Sequence, residues 1–291
     1  EPFLLVVSFN APHAEDADPV QFIPPERYAD LYQGVDHPDP PLADPGFFLA
    51  QPELLRTSLN RTRWHWRWTP ELADTMMSRY LAMVRGVDDA VARILAELER
   101  SGRAGDTVVV LTSDNGYLVG ERGLAGKWLA YEPSIRVPLI VRDPRLPAGR
   151  RGRTVEELVV NADLPETLLD LAGVAVPDGM QGRSLVPLLD GDVSGWRTEV
   201  FLEHSFSRPP ELSIPRYEGL RTRRYAYIHY LDAGREELYD LWTDPDEARD
   251  LAADPEMSGI LAGLRRRTRE LADLYSGVVA ADGFESGTLD A

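Results

Sequence analysis

Cysteine is absent from this chain, and lysine occurs once, at position 127. The first absence excludes disulfides, thiolate metal sites and a cysteine nucleophile supplied by this sequence. The second reflects a compositional habit, since arginine supplies every other basic side chain. Positive charge is scarce overall: 31 Lys and Arg face 48 Asp and Glu, for a formal net charge of -17. A surface that negative repels nucleic acid, heparin-like polymers and anionic membranes, so an anionic substrate needs a local positive site. No apolar run approaches the ~20 residues of a membrane span. There is no basic start or small-residue cleavage site of a signal peptide, and no internal repeat.

What remains reads as an α/β chain. Its 291 residues suffice for one large domain, or one large and one small. Phe3 to Phe9 (FLLVVSF) predicts a strand buried on both faces. Residues 14–68, rich in Pro and Asp, predict a long irregular excursion of the kind that forms substrate loops. Thr69 as cap and Pro70 at the first position predict the start of a long helix, ended by Gly102. Its apolar stripe runs through Met76, Tyr80, Val84, Val87, Val91, Ile94, Leu95 and Leu98. Thr107 to Thr112 and Val137 to Val141 predict further strands, and Val155 to Val160 reads as strand or helix end. Asp163 to Ala172 predicts a short helix closed by Gly173. Strand, helix, strand is the pattern of a mostly parallel central sheet flanked by helices.

After about Trp196 the texture changes. Val200 to Glu203, Tyr225 to Leu231 and Glu237 to Leu241 are short aromatic strands. A helix follows from about Met257 to Tyr275, with Leu261, Leu264, Leu271 and Leu274 inward, and a frayed tail from Gly277. The expected division is therefore 1–195, an α/β domain, and 196–291, a small antiparallel-sheet and helix subdomain.

Ligand sites of open parallel sheets lie beyond the carboxyl ends of the strands. Two polar groups fall there: His13, and the couple Asp114-Asn115. A carboxylate and an amide carbonyl are hard oxygen ligands, suited to Ca²⁺ or Mg²⁺ more than to zinc. Two ligands make half a site. The bland alternative is that Asp-Asn-Gly is an ordinary turn. Lys127 follows shortly, in a loop whose glycines at 116, 120, 123 and 126 let it fold back. Lysine is a compact charge with rotatable donors, able to release a proton where arginine is not. Its alternative is a solvated surface charge, and that of His13 is a turn cap. Arg63-Trp64-His65-Trp66-Arg67-Trp68 alternates, which predicts a short strand or arm packing its tryptophans; the functional alternative is a wall for a sugar or aryl ring. His204 reads as a packing or turn residue, and Tyr225, Tyr227 and Tyr230 as sheet faces.

The sequence resembles the sulfatase family of the alkaline-phosphatase-like superfamily, over its C-terminal two-thirds. The likeness is carried in order by Ala11-Pro12-His13, RYLAMVRGVDDAVARIL (79–95), TVVVLTSDNG (107–116) and GKWLAYEPSIRVPLIV (126–141). ADLPETLLDLAGV (162–174), QGRSLVPLL (181–189) and ELYDLWTDPDEARDLA (237–252) complete it. The resemblance implies a truncated alkaline-phosphatase-like fold and a sulfuric ester hydrolase. It makes Asp114 and Asn115 divalent-cation ligands, for Ca²⁺ with Mg²⁺ as the alternative. It makes Lys127 the residue that binds the sulfate and helps the leaving oxygen take its proton, and His13 a contact to the same group. The physics agrees, because a cation, an ammonium and an imidazolium stabilise charge building on the sulfuryl and leaving oxygens.

Three departures qualify the expectation. The family nucleophile is a formylglycine made from Cys or Ser in C/S-x-P-x-R. Here the nearest segment is Ser213-Ile214-Pro215-Arg216-Tyr217, with Tyr217 where Arg is required. The first acidic pair of metal ligands is absent as well. Arg122 stands where many relatives place a histidine. The expected reading is a sulfatase domain acting on a small sulfate ester of a sugar or aryl group, inactive alone, with a segment carrying the nucleophile preceding Glu1. Self-association through an exposed sheet edge is expected. The alternatives are a phosphodiesterase or phosphonate monoester hydrolase of the same superfamily, and a catalytically dead binding module. Asn115 favours one hard cation over the dinuclear zinc pattern, which places His after the Asp.

Overall fold

The computed structural model describes residues 2–206 and 213–279. The chain forms two compact units, 1–128 with 132–146 and 129–131 with 147–291. Residues 147–195, grouped by sequence with the first domain, are therefore part of the second unit.

Residues 3–9 form no strand, and their side chains are exposed, Phe3 by 58% and Val6 by 74%. A run buried on both faces needs a ladder on each side, and no strand among the described residues pairs with this one. Asn10 to His13 is a turn with a cis Ala11–Pro12 peptide, closed by the His13 N–H on the Asn10 carbonyl at 2.9 Å.

The excursion 14–68 is not irregular throughout. It contains α1 (Pro45–Ala50), α2 (Glu53–Arg56) and α3 (Leu59–Arg67). Its prolines misled the reading because two of them start helices. Pro45 occupies the first turn of α1, capped by Asp44 Oδ1 accepting from Phe47 N–H at 3.0 Å, and Pro52 caps α2. The long helix is α4 (Ala73–Arg100), which begins later than expected: the Thr69 carbonyl accepts from Leu72 and Ala73 N–H, so Thr69 to Leu72 is a turn leading in. It ends in a Schellman arrangement, Arg103 N–H to Leu98 O and Gly102 N–H to Glu99 O.

Phe22, Trp68, Met76, Met83, Ala14 and Ala125 form a buried cluster, with Ala11, Trp64, Tyr80 and Tyr117 against it. This cluster ties the turn after residue 10, the end of α3, α4 and the 117–125 loop together. The strand β1 (Val109–Thr112) follows α4. After it come β2 (Leu118–Val119) and β3 (Ala125–Gly126), a minimal antiparallel pair, then α5 (Glu132–Ile135) and β4 (Leu139–Arg142). β1 and β4 run antiparallel, Val109 opposite Arg142 and Thr112 opposite Leu139. The α/β class holds, but all strand pairings among the described residues are antiparallel. No crossover helix joins β1 to β4; the loop 113–138 doubles back instead, and a direct return reverses direction.

The second unit begins with Leu129–Tyr131 and 147–160, where 155–160 is neither strand nor helix. The Leu158 carbonyl there accepts from Trp196 Nε1 at 2.8 Å, a side chain in place of a ladder. Its helices are α6 (Asp163–Leu171) and α7 (Val186–Asp190). α6 explains why two of the matching segments travel together. Asp163 Oδ1 accepts from Arg183 N–H at 2.8 Å, Glu166 Oε1 from Gly182 N–H at 2.6 Å, and Thr167 Oγ1 from Leu185 N–H at 2.9 Å. Asp163 also takes a two-pronged ion pair from Arg197, Nη1 at 2.5 Å and Nη2 at 2.6 Å. The sheet β5 (Glu199–His204), β6 (Tyr217–Thr222), β7 (Tyr225–Tyr230) and β8 (Arg235–Asp240) is an antiparallel meander. β6 was not expected. The expected packing role of His204 agrees with its ring stacked on Tyr217, 6.0 Å between centroids.

Helix α8 (Ser258–Val279) packs Leu261 and Leu271 on Leu220, Tyr227 and Leu238 of the sheet, while Leu274 faces out, 60% exposed. The helix runs through Val279, past the expected fraying point at Gly277; residues 280–291 of the expected tail lie outside the described residues.

Candidate active site

The end of β1 delivers Ser113-Asp114-Asn115-Gly116 to a narrow place. The Ser113 hydroxyl donates to the Asn115 carbonyl at 2.9 Å. Gly116 N–H donates to the Ser134 carbonyl at 2.9 Å, and a Cβ on Gly116 would stand 2.2 Å from the Pro133 carbonyl oxygen. Backbone approaches backbone there, and only glycine allows it.

The loop then returns through β2 and β3. Gly126 has φ +97°, and the next residue but one, Trp128, is held left-handed at φ +77°, a strained conformation for a bulky side chain. Between them Lys127 reaches back, its Nζ donating to Asn115 Oδ1 at 3.1 Å. Two cations lie near the Trp128 ring, the Arg63 guanidinium carbon 4.5 Å and Lys127 Nζ 6.0 Å from its centroid.

Asp114 is exposed, while Asn115 and Lys127 are half-buried. His13 is exposed, and its Nδ1 bonds with the Ala14 carbonyl at 2.7 Å. Its neighbours Ala11 and Ala14 belong to the cluster that includes Tyr117 and Ala125. The structure thus joins Asn115 and Lys127 directly. It brings the His13 segment to the same cluster, with no described bond from the imidazole to either.

A carboxylate and an amide oxygen are a donor set for a hard cation, and the Asn115 oxygen, with one lone pair given to Lys127, retains a second. Among the described residues no group of three or more His, Cys, Asp or Glu could hold a metal ion. These two oxygens fit part of a coordination shell.

Several residues at the site were given no role there by the sequence reading. Arg67, fully buried, donates Nε to Gln21 Oε1 at 2.6 Å and Nη1 to the Tyr117 phenol oxygen at 2.8 Å, and pairs with Asp16. Arg63 Nη2 pairs with the same Asp16 at 2.8 Å. The strand or arm expected at 63–68 is the end of α3, and Trp64 and Trp68 pack inward as the bland reading held. Period 3.6 across Asn60, Arg63 and Arg67 was the signal available, and the tryptophan alternation masked it. Arg122 is buried with φ +60°. Its carbonyl accepts from Gln51 Nε2 at 2.7 Å, and its guanidinium lies 5.2 Å from the Phe47 ring. Burial pushes the Tyr117 phenol and the Glu121 carboxyl up from their ordinary ranges, and Glu121 Oε2 accepts from Val119 N–H at 2.5 Å.

Two family descriptions match this chain: Sulfatase over residues 1–174, and N-sulphoglucosamine sulphohydrolase, C-terminal, over 120–273. The chain belongs to the sulfatase family. An N-acetylglucosamine-6-O-sulfatase of Bacteroides thetaiotaomicron is 38% identical over 179 residues, 60% of this chain and 32% of that protein. An arylsulfatase of Clostridium perfringens is 27% identical over 278 residues, 91% of this chain and 52% of the other. The chain thus spans about a third of the length of one of these relatives and about half of the other.

Among solved structures, one bound to its substrate D-glucosamine-2-N,6-O-disulfate superposes with TM-score 0.75 at 25% identity, over 95% of this chain and 66% of that one. The phosphonate monoester hydrolase of Silicibacter pomeroyi superposes with TM-score 0.78 at 26% identity, over 89% and 53%. The fold is that of alkaline-phosphatase-like sulfatases.

Proposed function

We propose that this chain is the part of a sulfuric ester hydrolase that supplies Lys127 as proton donor and Asp114 and Asn115 as cation ligands. The observation that carries the reading is the Lys127 Nζ to Asn115 Oδ1 bond of 3.1 Å at the end of β1, in a sulfatase-family chain. Cleavage of a sulfate ester breaks the bond from sulfur to the ester oxygen and leaves negative charge on that oxygen. The Lys127 ammonium, aimed by the Asn115 carbonyl, donates its proton there. The His13 imidazole, exposed at the turn, contacts a sulfuryl oxygen and holds the group in place. Asp114 and Asn115 would hold Ca²⁺ or Mg²⁺, which when bound supplies positive charge against the sulfuryl oxygens. The formylglycine nucleophile of the reading is not encoded in this sequence, so no attacking group is assigned to it, and the chain alone is inactive.

The relatives support a small sulfated sugar as substrate. One is an N-acetylglucosamine-6-O-sulfatase, and one solved structure holds a disulfated glucosamine. A second reading, phosphonate monoester hydrolysis, is favoured by the superposition on the Silicibacter pomeroyi enzyme. Sulfate and phosphonate release by this chain, and by any longer protein of which it is a part, tests both. Sulfate release that needs Ca²⁺ or Mg²⁺ and is lost in Lys127→Ala supports the first reading. Turnover surviving that substitution removes the site assignment, and a preference for phosphonate monoesters selects the second.

A further inference from the structure

We infer that Asn60, on the inner face of α3, is the positioning residue for Lys127. Asn60 is fully buried. Its single amide nitrogen donates to two backbone carbonyls, Ala125 O and Lys127 O, each at 2.9 Å. The two bonds straddle Gly126, whose φ of +97° turns the chain and whose missing Cβ would stand 3.6 Å from that same nitrogen. Both amide hydrogens are thereby spent on fixing the backbone on either side of the turn. The amide oxygen has no hydrogen-bond partner among the described residues, so the donors alone set the orientation. With the 125–127 backbone clamped, the Lys127 side chain leaves from a fixed point, and its ammonium meets Asn115 at 3.1 Å.

The geometry of α3 gives the clamp a wider meaning. Residues 60, 63 and 67 follow the i, i+3, i+7 spacing of one helix face. Asn60 holds the Lys127 backbone. Arg63 lies against Gly126 and the Trp128 ring. Arg67 bonds Tyr117, two residues beyond Asn115, and pairs with Asp16 in the segment after His13. One short helix therefore meets all three site segments. An asparagine is required at 60, because an isosteric aspartate would set a carboxylate against two carbonyl oxygens. The inference rests on the proposed role of Lys127 for its catalytic meaning, and on the geometry alone for its structural content.

A property of the sequence makes the test direct. Lys127 is the lone lysine, so the full chain grown with ¹³C-lysine gives one Cε signal by NMR. In the wild type this signal is expected away from the free-lysine position, with its two Hε resonances separate. In Asn60→Asp, with folding followed by circular dichroism, it is expected to shift to the free-lysine position and the two resonances to merge. Asn60→Ser serves the same purpose if the aspartate variant does not fold. Leu55→Ala, an equally buried change on α2, controls for general loosening and is expected to leave the signal in place. An unmoved Lys127 signal in a folded Asn60 variant overturns the inference, as does an equal shift in Leu55→Ala. The readout uses no substrate, so the inference and the sulfatase reading can fail separately.

Discussion

Lys127 Nζ and Asn115 Oδ1 are 3.1 Å apart although their residues lie twelve apart in the chain. The pair couples the proposed proton donor to a proposed cation ligand, so the two halves of the proposed chemistry share a hydrogen bond. Charge at 127 is not sufficient in this arrangement, because an arginine holds its proton throughout the accessible pH range. In a longer protein that supplies the nucleophile, Lys127→Arg is therefore expected to lower kcat on the order of 100-fold or more, the usual worth of general acid catalysis. The loss should be larger for sugar sulfates than for 4-nitrophenyl sulfate, whose leaving group needs no proton. Steady-state kinetics on the two substrates check it; equal losses would assign Lys127 to binding.

Arg67 is the buried hub between the Asp16–Gln21 segment and Tyr117. Arg67→Met keeps the volume but leaves Gln21 and the Tyr117 phenol without their donor inside a closed cluster. Unpaired buried polar groups are destabilising, and the expected loss is on the order of 3 kcal/mol in urea unfolding of the whole chain. Asp16→Asn keeps an oxygen that can accept from Arg67 but leaves that fully buried guanidinium without its carboxylate, so it should also destabilise, by less than Arg67→Met.

How far the sequence could be read follows from these same residues. Asp114, Asn115 and Lys127 were singled out because each is chemically conspicuous at a strand end or unique in composition, and the structure joins the last two. Asn60 and Arg67 were not, because their work is done through backbone carbonyls and side chains distant in sequence. Residues 3–9 were misread for a related reason: a continuous apolar run states that a strand could be buried, and says nothing about whether partners stand beside it. The helices α1 to α3 were missed because prolines at helix starts have the same composition as prolines in loops. The second unit was more legible. The strands β5, β7 and β8 alternate visibly, and Gly173 follows the end of α6 with φ +70°.

The exposed run Phe3, Leu4, Leu5, Val6, Val7 predicts association of this chain with itself. Sedimentation velocity is expected to show species larger than 32.5 kDa that grow with concentration. The double change Leu4→Asp and Val6→Asp should return the chain to a monomer without altering its circular dichroism. A wild-type chain that sediments as a monomer at all concentrations removes the expectation.

The second unit should respond to acid through Glu236. Its carboxylate accepts from Arg265 Nε at 2.6 Å and from the Tyr227 phenol at 2.5 Å. The bonds from Arg265 chiefly hold it below the ordinary glutamate range, against the opposing effect of burial. A carboxyl whose pKa is depressed by folding adds stability that is fully present above its unfolded value and is lost as pH falls through its folded value. Wild type should therefore lose stability as pH falls from about 5 toward the depressed pKa, a window set by the ordinary Glu value. Arg265→Met removes the main cause of the depression, so the variant should be less stable at pH 7, and the difference from wild type should shrink as the solution is acidified. Thermal unfolding of both chains between pH 7 and pH 3 measures this. A gap that stays constant across that range would mean that Arg265 acts through packing of its aliphatic stem, and not through the charge of Glu236.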